Sequence, residues 1–298
     1  MVRLTEAAAW NDAASVAELL LRQNYIADPP LAMAIFLSVR LGKPLLVEGE
    51  PGCGKTEIAK ALATATGGEL IRLQCFEGLD ARSALYDWDY PRQLLTIRMH
   101  ERGEASEQLE KEVFSERFLL RRPLLRSLEG STEKPPVLLI DEIDRADEEF
   151  EGLLLEFLSD FQVTVPELGT LRAKQIPRVV ITSNRTRELS DALKRRCLYA
   201  YVDYPEAAKE VEILTRRVPG LGATFARQLV ALVQRLRAEP DLARRPGVAE
   251  SIDWATALLA LHRTGLDAGT LSTTLGFLIK DAQDLKFVRE ERLAALLE

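Results

Sequence analysis

The chain has 298 residues, 47% of them hydrophobic and 29% charged, which is typical of an ordinary soluble globular protein with a core domain and a smaller second domain. Its 39 basic and 46 acidic residues give a net charge of −7, which argues against a dedicated nucleic-acid binder but leaves room for a local basic patch. The three cysteines are not closely paired, no apolar run is long enough to cross a bilayer, and the N-terminus lacks a signal pattern, so we expect a protein of the reducing cytoplasm.

Two helices are predicted before the first strand. Residues 5–23 are rich in Ala and Leu with apolar side chains near helical spacing, and residues 31–41 form a second, mostly apolar helix. A break at residues 28–30 separates them. Tyr25 and Ile26 lie just before this break and are candidates for contact with an adenine ring, although packing between the two helices explains them equally well.

A glycine-rich segment follows a short apolar run at residues 44–48 and has the G-x-x-x-x-G-K-[ST] spacing of a phosphate-binding loop. Its backbone N–H groups would bind phosphate oxygens, aided by the dipole of the helix predicted after it. Lys55 would reach the β- and γ-phosphates of a nucleotide, and Thr56 would be a ligand of Mg²⁺. The nucleotide-binding residues are Gly49, Glu50, Pro51, Gly52, Cys53, Gly54, Lys55 and Thr56.

The next region is less regular. A second strand is predicted at residues 69–74, and residues 75–95 then crowd aromatic side chains between carboxylates, which fits an exposed functional loop and a buried core segment equally well. Residues 101–116 are highly charged and indicate a solvated helix face or a mobile connection. Residues 118–128 are predicted to form a helix with a basic side.

A second decisive motif is an apolar run that ends in two acids. Residues 137–140 predict a buried parallel strand, and Asp141 and Glu142 lie at its end. In a phosphate-loop protein the first acid, Asp141, holds the Mg²⁺ shell. The second, Glu142, is placed to orient and polarise the attacking water.

A third strand end carries an amide. A helix at residues 148–161 and a hairpin at 162–173 precede a strand at 178–184, which ends at Asn184. Beside a phosphate loop, this side chain could contact the attacking water or the γ-phosphate. The alternative is an ordinary turn residue.

A short helix at residues 189–197 ends in Lys194, Arg195 and Arg196. The helix dipole alone explains basic residues at this end. The functional alternative is an arginine presented to the γ-phosphate bound by a neighbouring subunit.

The composition changes after residue 204, where strands disappear. We therefore predict an α/β fold: a phosphate-loop αβα sandwich with a parallel sheet at residues 1–204, followed by a small all-α lid domain at 205–298. The predicted lid helices span residues 205–217, 223–238, 248–264 and 270–296.

In combination these motifs resemble the AAA+ ATPases, and more narrowly the MoxR type, over roughly residues 25–290. The insertion at 75–95 and the hairpin at 162–173 are similar to features of that branch. The segments 72–80 and 182–189 look most like the CoxD-like ATPases encoded near molybdenum hydroxylases. Members of that group help to mature carbon monoxide dehydrogenase, usually with a partner that bears a von Willebrand factor A domain.

The resemblance implies a set of roles. Residues 49–56 correspond to the Walker A motif, Asp141 and Glu142 to Walker B, and Asn184 to sensor 1. The arginine finger corresponds best to Arg196, with its neighbour Arg195 as a rival. Residues 247–254 depart from the family pattern, because they lack the arginine that many relatives carry at the start of a lid helix.

The same resemblance implies ATP and Mg²⁺ as cofactors and a ring of identical subunits, expected to be a hexamer. The implied work is the remodelling of a client metalloenzyme for cofactor insertion, together with the von Willebrand factor A domain partner. Two alternatives from other classes stay open. One is a nucleic-acid motor, against which the acidic balance and the acidic, aromatic insertion argue; the other is a nucleotide-dependent scaffold with little turnover, which the missing lid arginine favours and the intact Walker B pair opposes.

Overall fold

The computed structural model describes residues 10–100, 106–129 and 134–297. The strands are β1 (Leu45–Gly49), β2 (Leu70–Gln74), β3 (Tyr86–Trp88), β4 (Leu119–Arg121), β5 (Val137–Asp141), β6 (Gln162–Val165), β7 (Gly169–Arg172), β8 (Arg178–Ser183) and β9 (Leu198–Val202). The α-helices are α1 (Ala13–Leu21), α2 (Pro29–Leu41), α3 (Lys55–Thr66), α4 (Ala81–Ala84), α5 (Tyr90–His100), α6 (Ser106–Val113), α7 (Pro123–Leu128), α8 (Glu148–Asp160), α9 (Asp191–Arg196), α10 (Ala207–Arg217), α11 (Ala223–Ala238), α12 (Val248–Ala260), α13 (Ala268–Thr274), α14 (Ala282–Phe287) and α15 (Leu293–Leu297).

Five of these strands form one parallel sheet in the order β2-β5-β8-β1-β9. The central strands are apolar along their whole length because helices cover both faces of the sheet, and every residue of β1 and β5 is buried. In the register of the sheet, Leu45 of β1 lies opposite Val180 of β8 and Leu198 of β9. This arrangement confirms the predicted α/β fold class.

Alternate residues of the strands belong to two apolar cores, one on each face of the sheet. Leu45 and Val47 face the core shared with α1, α2 and α3, whereas Leu46, Leu138 and Ile140 face the core shared with α7 and α8. Because all five strands run in one direction, their carboxyl ends meet at a single edge. That edge carries the segments that follow β1, β5 and β8.

The predicted helix at residues 118–128 is wrong over its first half. Leu119–Arg121 is a strand, and it pairs antiparallel with Tyr86–Trp88 in a separate two-stranded sheet. The helix begins only at Pro123, whose fixed φ suits a first helical position. Pairing across more than thirty residues of sequence has no local signature, which is why helical spacing alone misplaced this segment.

Both interpretations of the insertion at 75–95 apply to part of it. Trp88 is buried and its ring meets that of Phe114 edge to face, 5.5 Å between centroids. Phe76 and Tyr90 are about half exposed. Apolar side chains of α5 beyond the insertion are also exposed, Met99 to 73%.

Several boundaries differ from the predicted ones. The predicted N-terminal helix is α1 in the described chain, and residues 5–9 lie outside the described residues, as do residues 101–105 of the charged stretch. The hairpin is confirmed as β6 and β7. No helix in the described parts of the chain is long and apolar enough to span a membrane.

The helices from α10 onward enclose an apolar core of their own, in which Trp254 is fully buried. The predicted helix at 248–264 ends at Ala260, and the one at 270–296 is broken into several pieces. The side chains of Asp267 and Asp281 cap helix starts by accepting from backbone N–H groups, and the cap at Asp281 explains one of the breaks within 270–296. The division of the chain at residue 204 stays a prediction.

A buried ion pair links the first three lid helices. Glu210 of α10 and Arg237 of α11 form a bidentate pair with both distances 2.7 Å, and each is almost fully buried. Ser251 of α12 donates to the same carboxylate, and the Arg237 guanidinium lies 4.7 Å from the ring centroid of Tyr204. The pair therefore fixes the lid helices next to the connection from β9.

Candidate nucleotide-binding site

A cavity of about 410 Å³ lies between the carboxyl edge of the sheet and the lid. Its walls include most of the residues that the sequence predicts for nucleotide binding and hydrolysis. The predicted site residues that line the cavity are Tyr25, Ile26, Pro51, Gly52, Cys53, Gly54, Lys55, Thr56, Asp141, Glu142 and Asn184. Gly49 and Glu50 do not line it, and neither do Arg195 and Arg196.

The loop between β1 and α3 has the backbone that a phosphate-binding loop needs. Gly54, with φ of 86°, is the left-handed residue that starts α3. Gly49 is required for a different reason, because a Cβ there would lie 1.9 Å from the carbonyl oxygen of Val202 on β9. The first turn of α3 is thereby aimed into the cavity with its free N–H groups forward.

Lys55 is buried at the base of this loop. Its Nζ donates to the carbonyl oxygens of Gly49 at 2.8 Å and of Glu50 at 2.7 Å, which gives these two residues their place in the site. Desolvation lowers the pKa of the ammonium, while nearby acids such as Asp144 and Asp141 oppose that shift. A phosphate in the loop would offer the ammonium a charged partner in place of neutral carbonyls.

Cys53 and Tyr25 stand on the cavity wall in protonated form at neutral pH. Burial raises the pKa of the Cys53 thiol to about 11 and also raises the pKa of the Tyr25 hydroxyl. Tyr25 and Ile26 are the predicted adenine contacts, and their position at the cavity is compatible with that role. The packing alternative holds as well, because Tyr25 also contacts the core beneath α3.

Asp141 lines the cavity beside Thr56 and is at the centre of a hydrogen-bond cluster. Its Oδ1 accepts from the hydroxyls of Thr56 at 3.0 Å and Thr182 at 2.6 Å. Its Oδ2 accepts from the Nε and Nη2 atoms of Arg72 at 3.0 and 2.6 Å. Sequence reasoning missed Thr182 and Arg72, because a threonine in β8 and an arginine in β2 are ordinary strand residues until the sheet register brings them beside Asp141.

Glu142 has an unusual backbone for a residue with a side chain. It lies in the left-handed region, with φ of 56° and ψ of 52°, and its N–H donates to Thr182 Oγ1 at 2.9 Å. Such strain at a polar strand end is common in functional sites. The carboxylate accepts from Gln74 Nε2 at 3.2 Å and pairs with Arg145 at 3.4 Å.

Asp144, three residues after Asp141, fixes the loop that carries Asn184. Its carboxylate accepts from the backbone N–H groups of Asn184 at 3.1 Å and Thr186 at 2.9 Å, and from the Thr186 hydroxyl. Burial alone would raise the pKa of Asp144, but these hydrogen bonds outweigh it and lower the pKa. The charged carboxylate therefore holds Asn184 at the cavity wall.

The two arginines at the end of α9 lie away from this cavity and are exposed. The Arg196 guanidinium donates to the carbonyl of Leu155 and the hydroxyl of Ser159, both on α8 of the same chain. Arg195 makes no such contact with the described residues. Neither arginine lines the cavity of its own chain, so the assignment of one of them to a neighbouring subunit stays a prediction.

The lid contributes two cations that the sequence did not single out. Lys209 and Arg217 line the cavity from one face of α10, with Ile213 between them. Lys209 pairs with Asp28 and Arg217 with Glu57 at 3.1 Å, so both ion pairs cross from lid to core. In the sequence these two residues look like part of the solvated charged face of an amphipathic helix, and their spacing of eight residues does not indicate a binding site.

The lid also contacts the phosphate-binding loop through backbone atoms. At the start of α12, the N–H groups of Val248 and Ala249 donate to the carbonyl of Gly52 at 3.0 and 3.3 Å. A Cβ on Gly247 would lie 2.7 Å from the Cα of Gly52. The lid therefore touches the loop where relatives were expected to place an arginine.

Replacing Gly247 by Ala is expected to push the lid off the loop, because the opposing atoms are backbone and cannot turn aside. We expect a loss of about 1–3 kcal/mol in the free energy of unfolding, measured by urea denaturation, and weaker ATP binding. Gly222→Ala is the matched control, since Gly222 also caps a lid helix at negative φ but has open space around it. Equal effects of the two substitutions would contradict the contact.

The fold and the cavity together define a P-loop nucleotide-binding protein with a helical lid. The model of the AAA domain of the dynein-related subfamily matches residues 44–197, about half of the chain, and the chain belongs to this family. AAA domains as a class bind and hydrolyse nucleotides, and this subfamily includes the MoxR-type ATPases.

The curated proteins that are similar to the chain include the following three. The uncharacterized protein YehL of Escherichia coli (strain K12) is 25% identical over 85% of this chain and 70% of its own length. The outer mitochondrial transmembrane helix translocase of Danio rerio is 29% identical over 69% of this chain and 47% of its own length. The uncharacterized protein SH1500 of Staphylococcus haemolyticus (strain JCSC1435) is 29% identical over 58% of this chain and 59% of its own length. The chain thus matches about half of the length of the last two.

The residues at the cavity fit Mg²⁺ bound together with a nucleotide. Hydroxyl and carboxylate oxygens are the ligands that Mg²⁺ prefers, and those of Thr56 and Asp141 lie 3.0 Å apart. Within the described residues, no group of three or more His, Cys, Asp or Glu side chains could hold a metal by itself. The phosphates of a nucleotide would have to complete the shell, which is the usual arrangement in P-loop sites.

Proposed function

We propose that the chain is a Mg²⁺-dependent ATPase that works as a ring of identical subunits. The observation that carries this proposal is the convergence of Lys55, Thr56, Asp141, Glu142 and Asn184 on one cavity. These five residues follow three different strands, β1, β5 and β8, and the parallel sheet brings their side chains together at the edge where such folds bind ligands.

Each side chain then has a distinct task. The loop N–H groups and Lys55 hold the β- and γ-phosphates, and Thr56 and Asp141 hold the metal, which when bound neutralises charge on those phosphates. Glu142 accepts a proton from the attacking water, and Asn184 orients that water or the γ-phosphate. Arg196 of the next subunit stabilises the charge of the transition state.

We further propose that hydrolysis drives the remodelling of a client protein. On the resemblance to CoxD-like ATPases, we propose that the client is a metalloenzyme undergoing cofactor maturation and that the partner bears a von Willebrand factor A domain. The proposed compartment is the cytoplasm. The exposed apolar side chains Leu94, Leu95 and Met99 of α5 are suitable for transient contact with a client. One relative is named a translocase of transmembrane helices, which is mechanical work on a protein.

A nucleotide-dependent scaffold with little turnover is the second candidate. Two observations favour it: the start of α12 carries no arginine, and the Glu142 carboxylate is held by Gln74 and Arg145. A scaffold of this kind would bind ATP with ordinary affinity and retain it unhydrolysed.

The experiment that separates the candidates is ATP turnover by the purified chain across protein concentrations, with oligomer mass recorded in parallel. The proposal expects turnover per subunit to rise with assembly and to vanish in EDTA, because Mg²⁺ and a neighbour's arginine are both required. ATP binding without turnover at every concentration and assembly state would favour the scaffold. Stimulation of turnover by DNA or RNA would instead favour a nucleic-acid motor.

A further inference from the structure

Among the described partners of Asp141, Arg72 is the long and half-exposed one, and its Nη2 also donates to Gln74 Oε1. The hydroxyls of Thr56 and Thr182 come from the P-loop helix and a central strand, and Thr182 is 1% exposed. Arg72 comes from β2 at the border of the sheet, and its side chain is 52% exposed, whereas that of Asp141 is 3% exposed. A long, half-exposed side chain can leave a hydrogen bond at far lower cost than a buried threonine.

The charge at this position is also informative. A buried carboxylate needs a cation or several donors, and the Arg72 guanidinium supplies two N–H groups to Asp141 Oδ2 in a fork. Mg²⁺ bound with a nucleotide brings two positive charges to the same carboxylate. Thr56 donates to Oδ1 and Arg72 donates to Oδ2, so a metal held by Thr56 and Asp141 would compete with Arg72 for the negative charge of one carboxylate.

We propose that Arg72 is a positioning residue of the magnesium site that occupies Asp141 until Mg²⁺ displaces it. The inference rests on the proposed function, because it assumes that Asp141 serves Mg²⁺ with a nucleotide. While no metal is bound, the Arg72 guanidinium fixes the orientation of the Asp141 carboxylate. Because Mg²⁺ has to displace it from Asp141, Arg72 raises the Mg²⁺ concentration that nucleotide binding requires.

The test uses the full chain and the fluorescent nucleotide N-methylanthraniloyl-ADP, which is not turned over. Its binding is followed as Mg²⁺ is raised, in wild type, Arg72→Gln and Arg72→Lys, with EDTA samples alongside. We expect Arg72→Gln to lower the half-saturating Mg²⁺ concentration by about threefold to tenfold and Arg72→Lys to give an intermediate value. Binding in EDTA should not improve in either variant.

Arg126→Gln is the matched control, because it breaks an exposed arginine pair with Glu69 beside the start of the same strand, far from Asp141. Melting temperatures without nucleotide report on folding, and Arg72→Lys keeps a charge if the glutamine variant is unstable. An unchanged or raised Mg²⁺ requirement in Arg72→Gln would overturn the inference and leave the proposed function standing. Absence of nucleotide binding by wild type at every Mg²⁺ concentration would overturn both.

Discussion

Glu142→Gln is expected to lower ATP turnover by a factor of about 10² to 10⁴ while leaving ATP binding near its wild-type strength. The glutamine keeps the size and hydrogen-bonding reach of the side chain but cannot accept a proton from water. Because the proposed metal ligands are Asp141 and Thr56 and do not include Glu142, we expect the binding step to keep its partners. Single-turnover hydrolysis and equilibrium binding of a fluorescent ATP analogue measure the two quantities separately.

Glu148→Gln is a suitable control for this prediction. Glu148 is an exposed carboxylate at the first turn of α8, six residues along the chain, and should change turnover by less than about twofold. A Glu142→Gln variant that hydrolyses ATP at the wild-type rate would show that another group activates the water. A variant that fails to bind ATP would indicate that Glu142 acts on the ground state instead.

The parts of the fold that the sequence predicts well are those with local signals. The apolar runs at β1 and β5, each followed by a distinctive polar motif, predicted two of the buried strands of the sheet and the loops at its carboxyl edge. Pairing between β3 and β4 was missed because neither short strand has a period long enough to read. A break inside the last predicted lid helix was missed because Asp281 reads equally well as an exposed helix residue.

The site divides in the same way. Residues named in advance belong to motifs in which neighbours in sequence share one task, as Lys55 and Thr56 do. Residues found only in the structure, such as Thr182 and Arg72, act across strands, so their relevance depends on register. The lid cations Lys209 and Arg217 depend on how two groups of helices meet, which no single segment encodes.

The structure shows what stands at the start of α12, where many members of the resembled family carry an arginine and this chain does not. That position is taken by the backbone contact between Gly247 and Gly52, and the nearest lid cations come from α10 instead of α12. The contact between Gly247 and Gly52 depends on the backbone conformation of the P-loop, whereas an arginine would interact with the charge of the phosphates. We therefore expect the position of the lid to depend more on whether a nucleotide occupies the P-loop than on whether that nucleotide carries a γ-phosphate.

Arg196→Ala is expected to lower turnover by about 10³-fold in the assembled protein, because an arginine finger supplies transition-state stabilisation of that order. Nucleotide binding and oligomer mass should stay near wild type, since Arg196 is exposed and, among the described residues, its hydrogen bonds go to α8. Arg195→Ala is the matched comparison one residue away, and we expect it to change turnover little. The reverse ranking would transfer the finger to Arg195, which has no partner to leave among the described residues.

Mixed rings decide whether the arginine acts on a neighbour. A Glu142→Gln subunit keeps its arginine but has an inactive site, and an Arg196→Ala subunit keeps its site but offers no arginine. Where the two meet in the right order, one complete site forms, so mixing two inactive preparations should restore part of the turnover. An arginine that served its own chain would give no recovery at any ratio, because each variant would lack an essential group in every one of its sites.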